Sequence, residues 1–213
     1  MTRRRIESER GRKVSTLATK ISFDSTAPKK HFDESIRDIR DKFAIARREK
    51  NNDIHSAEEI WRSQIVFLDS ALDFYIHEVS KLGVTKIFNR KWKETEKYRN
   101  LRVTLDFALR LSENAISPDR LLGEIDEKNQ RNCFMKFENL QRTLEIVGLD
   151  ADSSFKPQIN ALYSRRNQIA HQSDRLHDNP VKQPITEAYV EQYINIVENF
   201  VEDIENRIND KTI

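Results

Sequence analysis

At 213 residues, the chain suits one domain with a modest extra segment; it can bury a real hydrophobic core, but two full domains would be cramped. Hydrophobic residues make up 37% and charged residues 34%, with only 4 Gly and 5 Pro, which argues against turn-rich sheets and for long charged helices. Cys133 is the single cysteine and no apolar run reaches bilayer length, which excludes an internal disulfide and leaves no membrane partner to expect.

The net charge of +2 hides an asymmetry. Residues 1–30 hold nine Lys or Arg against Glu7, Glu9 and Asp24, which leaves the remainder at about −4. A body with no positive excess does not read as a general nucleic-acid coat, because Lys and Arg supply most non-specific affinity for phosphate. Residues 1–28, with Arg3, Arg4, Arg5, Arg10, Arg12 and Lys13 among Ser and Thr, read as a flexible basic tail, solvated or touching nucleic acid, ahead of a helical domain at 29–213. The start lacks the apolar stretch of a secretory signal and carries acids unsuited to a transit peptide, so a cytoplasmic chain is expected.

In chain order, Phe32, Ile36, Ile39, Phe43 and Ala46 recur at helical spacing and predict an amphipathic helix from about His31 to Glu49. Ser56 and Glu59 stand at capping-box spacing, and Gly83 suits a left-handed stop. The stripe between them, from Ile60 to Leu82, predicts a long central helix with Asp69 and Asp73 set inside apolar sequence, where carboxylates need a partner. Further helices are predicted over Lys86–Arg99, over Val103–Leu111, from Ser117-Pro118, through Phe134, Phe137, Leu140, Leu144 and Val147 to a stop at Gly148, and from near Ser154. A polar loop through Pro180 and Pro184 follows, and Thr186 caps a final helix whose stripe from Tyr189 to Ile208 packs on Ile60–Leu82.

No Gly-rich phosphate loop, zinc-spaced Cys or His pair or Gly-x-Ser-x-Gly turn is present, so no cofactor and no metal are expected. His31, His55, His77 and His177 are scattered among surface-like residues and carry no assigned role. His171 differs, because Arg165, Arg166, Asn167 and Gln168 crowd the turn before it. An imidazole passes protons near neutrality, and a guanidinium grips phosphate through paired hydrogen bonds. Asn167 and His171 share a helix face, while Arg166 lies about 140° around from His171, so one helix alone makes a poor site. The gap closes if the long Arg166 side chain curls round, or if a twofold dimer sets two such helices together and donates residues across its interface, and a composite dimeric site is expected. A plain alternative stands beside this: such residues also satisfy the last carbonyls and the dipole of a helix end.

The segment Arg165-Arg166-Asn167-Gln168-Ile169-Ala170-His171 resembles the signature of the HEPN superfamily, an Arg followed after four to six residues by His. Asn167 matches the polar residue directly after the motif Arg, and the phrase is similar to bacterial branches tied to defence and toxin systems, RiboL-PSP among them. Gln64–Ile76 is similar to the long helix before that motif, with Asp73 as the best counterpart of its acidic residue. The resemblance implies an all-α, HEPN-like antiparallel helical bundle with additional helices. It further implies a metal-independent endoribonuclease in which His171 is general acid or base, Arg166 stabilises phosphate charge and Asn167 orients it. Arg165 and Asp73 are then substrate-binding candidates. The partners implied are an RNA substrate, a homodimer with a composite site, and an antitoxin or defence-system subunit. The alternative is a catalytically inactive helical module that binds RNA or protein.

Overall fold

The computed structural model of the chain describes residues 21–113, 120–124, 136–176 and 179–211. Helix α1 (Ala27–Lys50) and helix α2 (Ile54–Phe88) form an antiparallel hairpin closed at Asn51 and Asn52. The expected stripe of α1, Phe32 to Ala46, is buried, and Phe32 meets the Tyr75 ring of α2 at 5.6 Å. α2 opens earlier than the Ser56–Glu59 spacing indicated. Asp53 is the cap and accepts from the backbone N–H groups of His55 and Ser56 at 3.0 and 3.2 Å, a stronger acceptor than a hydroxyl.

Gly83 does not end α2, which continues to Phe88. A Cβ added at Gly83 would lie 2.4 Å from Val147 Cβ, so the glycine permits close approach of another segment rather than a left-handed turn. The helix predicted over Lys86–Arg99 is correspondingly split. Arg90 takes a left-handed φ of 58°, the N–H groups of Lys91 and Trp92 both donate to Lys86 O at 2.7 and 3.1 Å, and only Glu96–Arg99 re-forms a turn, α3. Helix α4 (Leu105–Ser112) covers the next predicted stretch, and α5 is described at 120–124. The predicted start at Ser117-Pro118, Cys133, Phe134, His177 and the basic run of residues 1–20 lie outside the described residues. Within the span assigned to the tail, Ile21 is buried, and its backbone N–H and carbonyl bond the Asn89 side chain at 3.0 and 2.6 Å.

Helix α6 (Phe137–Ile146) stops as expected at Gly148, φ +72°. Its first N–H, at Phe137, donates to Asn160 Oδ1 of helix α7 (Lys156–Gln172) at 2.9 Å. Where a polar loop was expected, a small antiparallel pair forms, β1 (Arg175–Leu176) with β2 (Asn179–Lys182). Thr186 caps helix α8 (Glu187–Asp210), accepting from Tyr189 N–H at 3.2 Å.

α2 packs against α1, α6, α7 and α8 and is the central helix. α8 runs parallel to it: Arg47 near the end of α1 meets Glu187 at 2.6 Å, and Tyr75 Oη donates to Glu205 at 2.7 Å. Arg40 adds a clamp from α1 to Glu191 and Glu198 at 3.0 and 2.5 Å. The result is an all-α bundle with additional short helices, as expected, to which the β1–β2 pair is added among the described residues. No described helix is long and apolar enough to cross a membrane.

Candidate active site

α7 advances about 100° per residue, so Arg165, Arg166 and Asn167 leave it in three directions, and each meets a different environment. Arg165 turns inward. Its Nη2 donates to Asp174 Oδ2 at 2.9 Å and to Pro184 O at 3.1 Å, and its guanidinium lies 5.6 Å from the centre of the Tyr189 ring. Arg62 of α2 meets the same Asp174 oxygen through Nε at 2.7 Å and reaches Gln183 O at 2.9 Å. Arg165, a substrate-binding candidate on sequence grounds, is therefore engaged inside a buried Arg62–Asp174–Arg165 network. Asp174 is fully buried, and a carboxylate there is tolerable because two guanidiniums neutralise it.

That network fixes the end of the motif helix. Ser173 and Asp174 both adopt left-handed backbone, φ 50° and 62°, and Asp174 N–H donates back to Gln168 O at 2.8 Å, closing the helix in a Schellman-like turn. Asp tolerates that conformation better than most residues. Gln183 N–H donates to Asp174 O at 2.8 Å and its side chain to Gln168 Oε1 at 2.7 Å, tying the hairpin to the last turn of α7.

Arg166 points across to α2, where its Nε stands 3.5 Å from Asp69 Oδ2. The pair is loose, since neither atom makes a hydrogen bond. Burial pushes the Asp69 carboxyl up to about 7; nearby Asp73 adds to the rise and Arg166 opposes it. Asp73 lies one turn further along α2, with an oxygen 3.7 Å from His77 Nε2. The acid facing Arg166 is thus Asp69, one turn before the counterpart chosen from the sequence, and Asp73 acts on it through space.

Asn167 accepts a hydrogen bond from Arg166 Nη1 at 3.1 Å. It lines an open polar cleft of about 550 Å³ with Asn160, Tyr163, Ser164 and Lys136. His171 is exposed on the last turn of α7, on the face that Asn167 shares. The helix is regular through both motif residues, so Arg166 and His171 diverge within one protomer as the spacing predicts. No group of three or more His, Cys, Asp or Glu that would hold a metal occurs among the described residues.

Arg62 and Asp174 were not singled out from sequence. Arg62 stands seven residues before Asp69, on the same face of α2, and an arginine there in apolar sequence was the available signal. Asp174 had none, since its partners come from 112 and 9 residues away.

No curated protein and no solved structure matches the chain. A family model described as RiboL-PSP-HEPN matches residues 30–210, which takes in the central helix, the motif helix and α8. That match spans most of the chain: the chain belongs to the RiboL-PSP-HEPN family.

Proposed function

We propose that the chain is an endoribonuclease that cuts RNA without a metal, in a toxin–antitoxin or anti-phage setting, at a site built from Arg166, Asn167 and His171. HEPN domains are often ribonucleases, bind RNA and often dimerise. The observation that carries the reading is the contrast along α7: Arg165 is locked into a buried network, whereas Arg166 has one loose ion pair and a hydrogen bond to its neighbour Asn167, and His171 is open to solvent. A loosely held guanidinium is cheap to redirect onto a phosphate, and an exposed imidazole is reachable by a polymer.

In the proposed reaction the RNA 2′-hydroxyl attacks the adjacent phosphorus as its proton passes to a base, and the 5′-oxygen leaves protonated. The products are a 2′,3′-cyclic phosphate and a free 5′-hydroxyl. His171 moves the proton as base or acid, Arg166 bears the charge gathering on the phosphate oxygens, and Asn167 holds Arg166 or the phosphate in register. Arg165 then serves by positioning the motif helix, and Asp73 by setting the charge on Asp69, not by touching RNA. A second copy of the chain brings Arg166 and His171 together.

His171→Ala and Arg166→Ala are each expected to retain the wild-type far-UV spectrum and to lose at least ~100-fold of RNA cleavage measured in chelator. Full activity in either variant refutes the assignment. A variant that binds RNA as before, from a wild type that never cuts, leaves the non-catalytic binding module instead.

A further inference from the structure

Lys81 to Arg102 carry eight Lys or Arg against Glu94 and Glu96, the densest positive stretch of a body that is otherwise slightly acidic. The fold concentrates it. The turn after α2 is pinned by the two backbone bonds to Lys86 O, with Trp92 buried beneath it and the Lys211 amine 5.0 Å from the Trp92 ring centre. Arg90, Lys91 and Lys93 project from this hook exposed, with no carboxylate partner among the described residues. Beside the hook a cleft of about 820 Å³ runs between the start of α1 and the end of α8, lined by Lys29, Lys30, Arg37, Lys86 and Lys211. Of its three carboxylates, Asp33 is tied to Lys29 at 2.5 Å and Glu205 accepts from Tyr75; Glu34 is the third. Ile21, bonded to Asn89, brings the chain into the fold next to Arg90, with Lys20 and the arginine-rich run preceding it in sequence.

We infer that this end of the bundle, the Arg90–Lys93 hook with the cleft edge at Lys30, Arg37 and Lys86, is a second, sequence-independent RNA contact that holds the phosphodiester backbone of a strand whose scissile bond sits at His171. The inference rests on the ribonuclease reading only for the polymer it names. Lysines and arginines without an exposed aromatic platform recognise phosphate rather than bases, and Trp92, which lines the cleft, is nearly buried. The cleft edge lies seventeen residues along α2 from Asp69, or ~25 Å at ~1.5 Å per residue. A strand stacked at ~3.4 Å per nucleotide needs roughly seven nucleotides to run from the cleft edge to the Asp69–Arg166 pair and more to reach His171, so short RNAs gain nothing from the hook and long ones do.

The test uses the full chain carrying His171→Ala, so that RNA stays intact, with fluorescent oligouridines of four and twenty nucleotides. The triple variant Arg90→Gln, Lys91→Gln, Lys93→Gln is compared with a control losing the same charge elsewhere, Arg48→Gln, Lys50→Gln, Arg142→Gln. The hook variant is expected to weaken 20-mer binding ~10-fold or more and to lower the salt slope by ~2, at ~0.7 per released phosphate contact on a single strand, while 4-mer binding and the control stay unchanged. Equal loss in hook and control variants, or no loss in either, overturns the inference. The catalytic reading fails separately: a His171-intact chain that binds the 20-mer through the hook but cuts nothing refutes ribonuclease activity and keeps this surface. One that cuts long RNA with unchanged KM after the hook is neutralised does the reverse.

Discussion

Asp69 is buried on α2, with Arg166 Nε 3.5 Å from one carboxylate oxygen and Asp73 one turn further along the helix. Its burial has a measurable consequence. With the carboxyl pushed up to about 7, the folded chain keeps a proton that the unfolded chain has released from about pH 4 upward, so raising the pH from ~4 to ~7 draws the equilibrium toward unfolding. At ~1.36 kcal/mol per pKa unit this costs on the order of 4 kcal/mol. Asp69→Asn removes the ionisable group while keeping the shape. The difference between wild-type and variant urea stabilities is therefore expected to move in the variant's favour across that window and to level off above pH ~8. A pH-independent difference would show that Asp69 is ionised throughout. Arg166 is partly exposed and can turn to water when its partner is neutral, which limits the opposing loss.

Helices were the legible level. Their apolar stripes repeat every three or four residues, and α1, α6, α7 and α8 lie where that period puts them. The failures have one cause: punctuation residues read by local habit where distant contact decides. Gly83 reads as a stop, yet it is the place where Val147 presses against α2, and the β1–β2 pair, read as a polar loop, is tied to α7 through Asp174 and Gln183. Gly83→Ala discriminates the two roles. On an open helix the change would stabilise by up to ~1 kcal/mol. Here the added methyl meets Val147 Cβ at 2.4 Å, with side-chain atoms at 2.6 and 2.7 Å, and overpacking of that kind costs ~1–3 kcal/mol. A fall in Tm of a few degrees is expected, at ~2–4 °C per kcal/mol for a chain of this size; a rise would mean that α6 moves away freely.

At the scale of the whole molecule, the motif was readable but the completion proposed for it was not, because a single sequence carries no image of a partner surface. α2 leaves Phe67 and Phe74 half exposed, seven residues apart with Ser70 between them, beside a shallow groove shared with Ile39 and Lys42 of α1. Two half-exposed aromatic rings on one face of the central helix, flanking a groove, suit contact with a second copy of the chain. Phe67→Asp with Phe74→Asp is then expected to give a folded monomer by light scattering and to lose RNA cleavage together with the dimer. Subunit mixing tests the shared site directly. If each site takes Arg166 from one protomer and His171 from the other, a dimer of one Arg166→Ala and one His171→Ala subunit has one intact site and one doubly impaired one. Random mixing makes half the dimers mixed, so about a quarter of wild-type activity returns from two inactive proteins. If both residues act within one protomer, every site in every dimer keeps a lesion and nothing returns, whatever the oligomeric state.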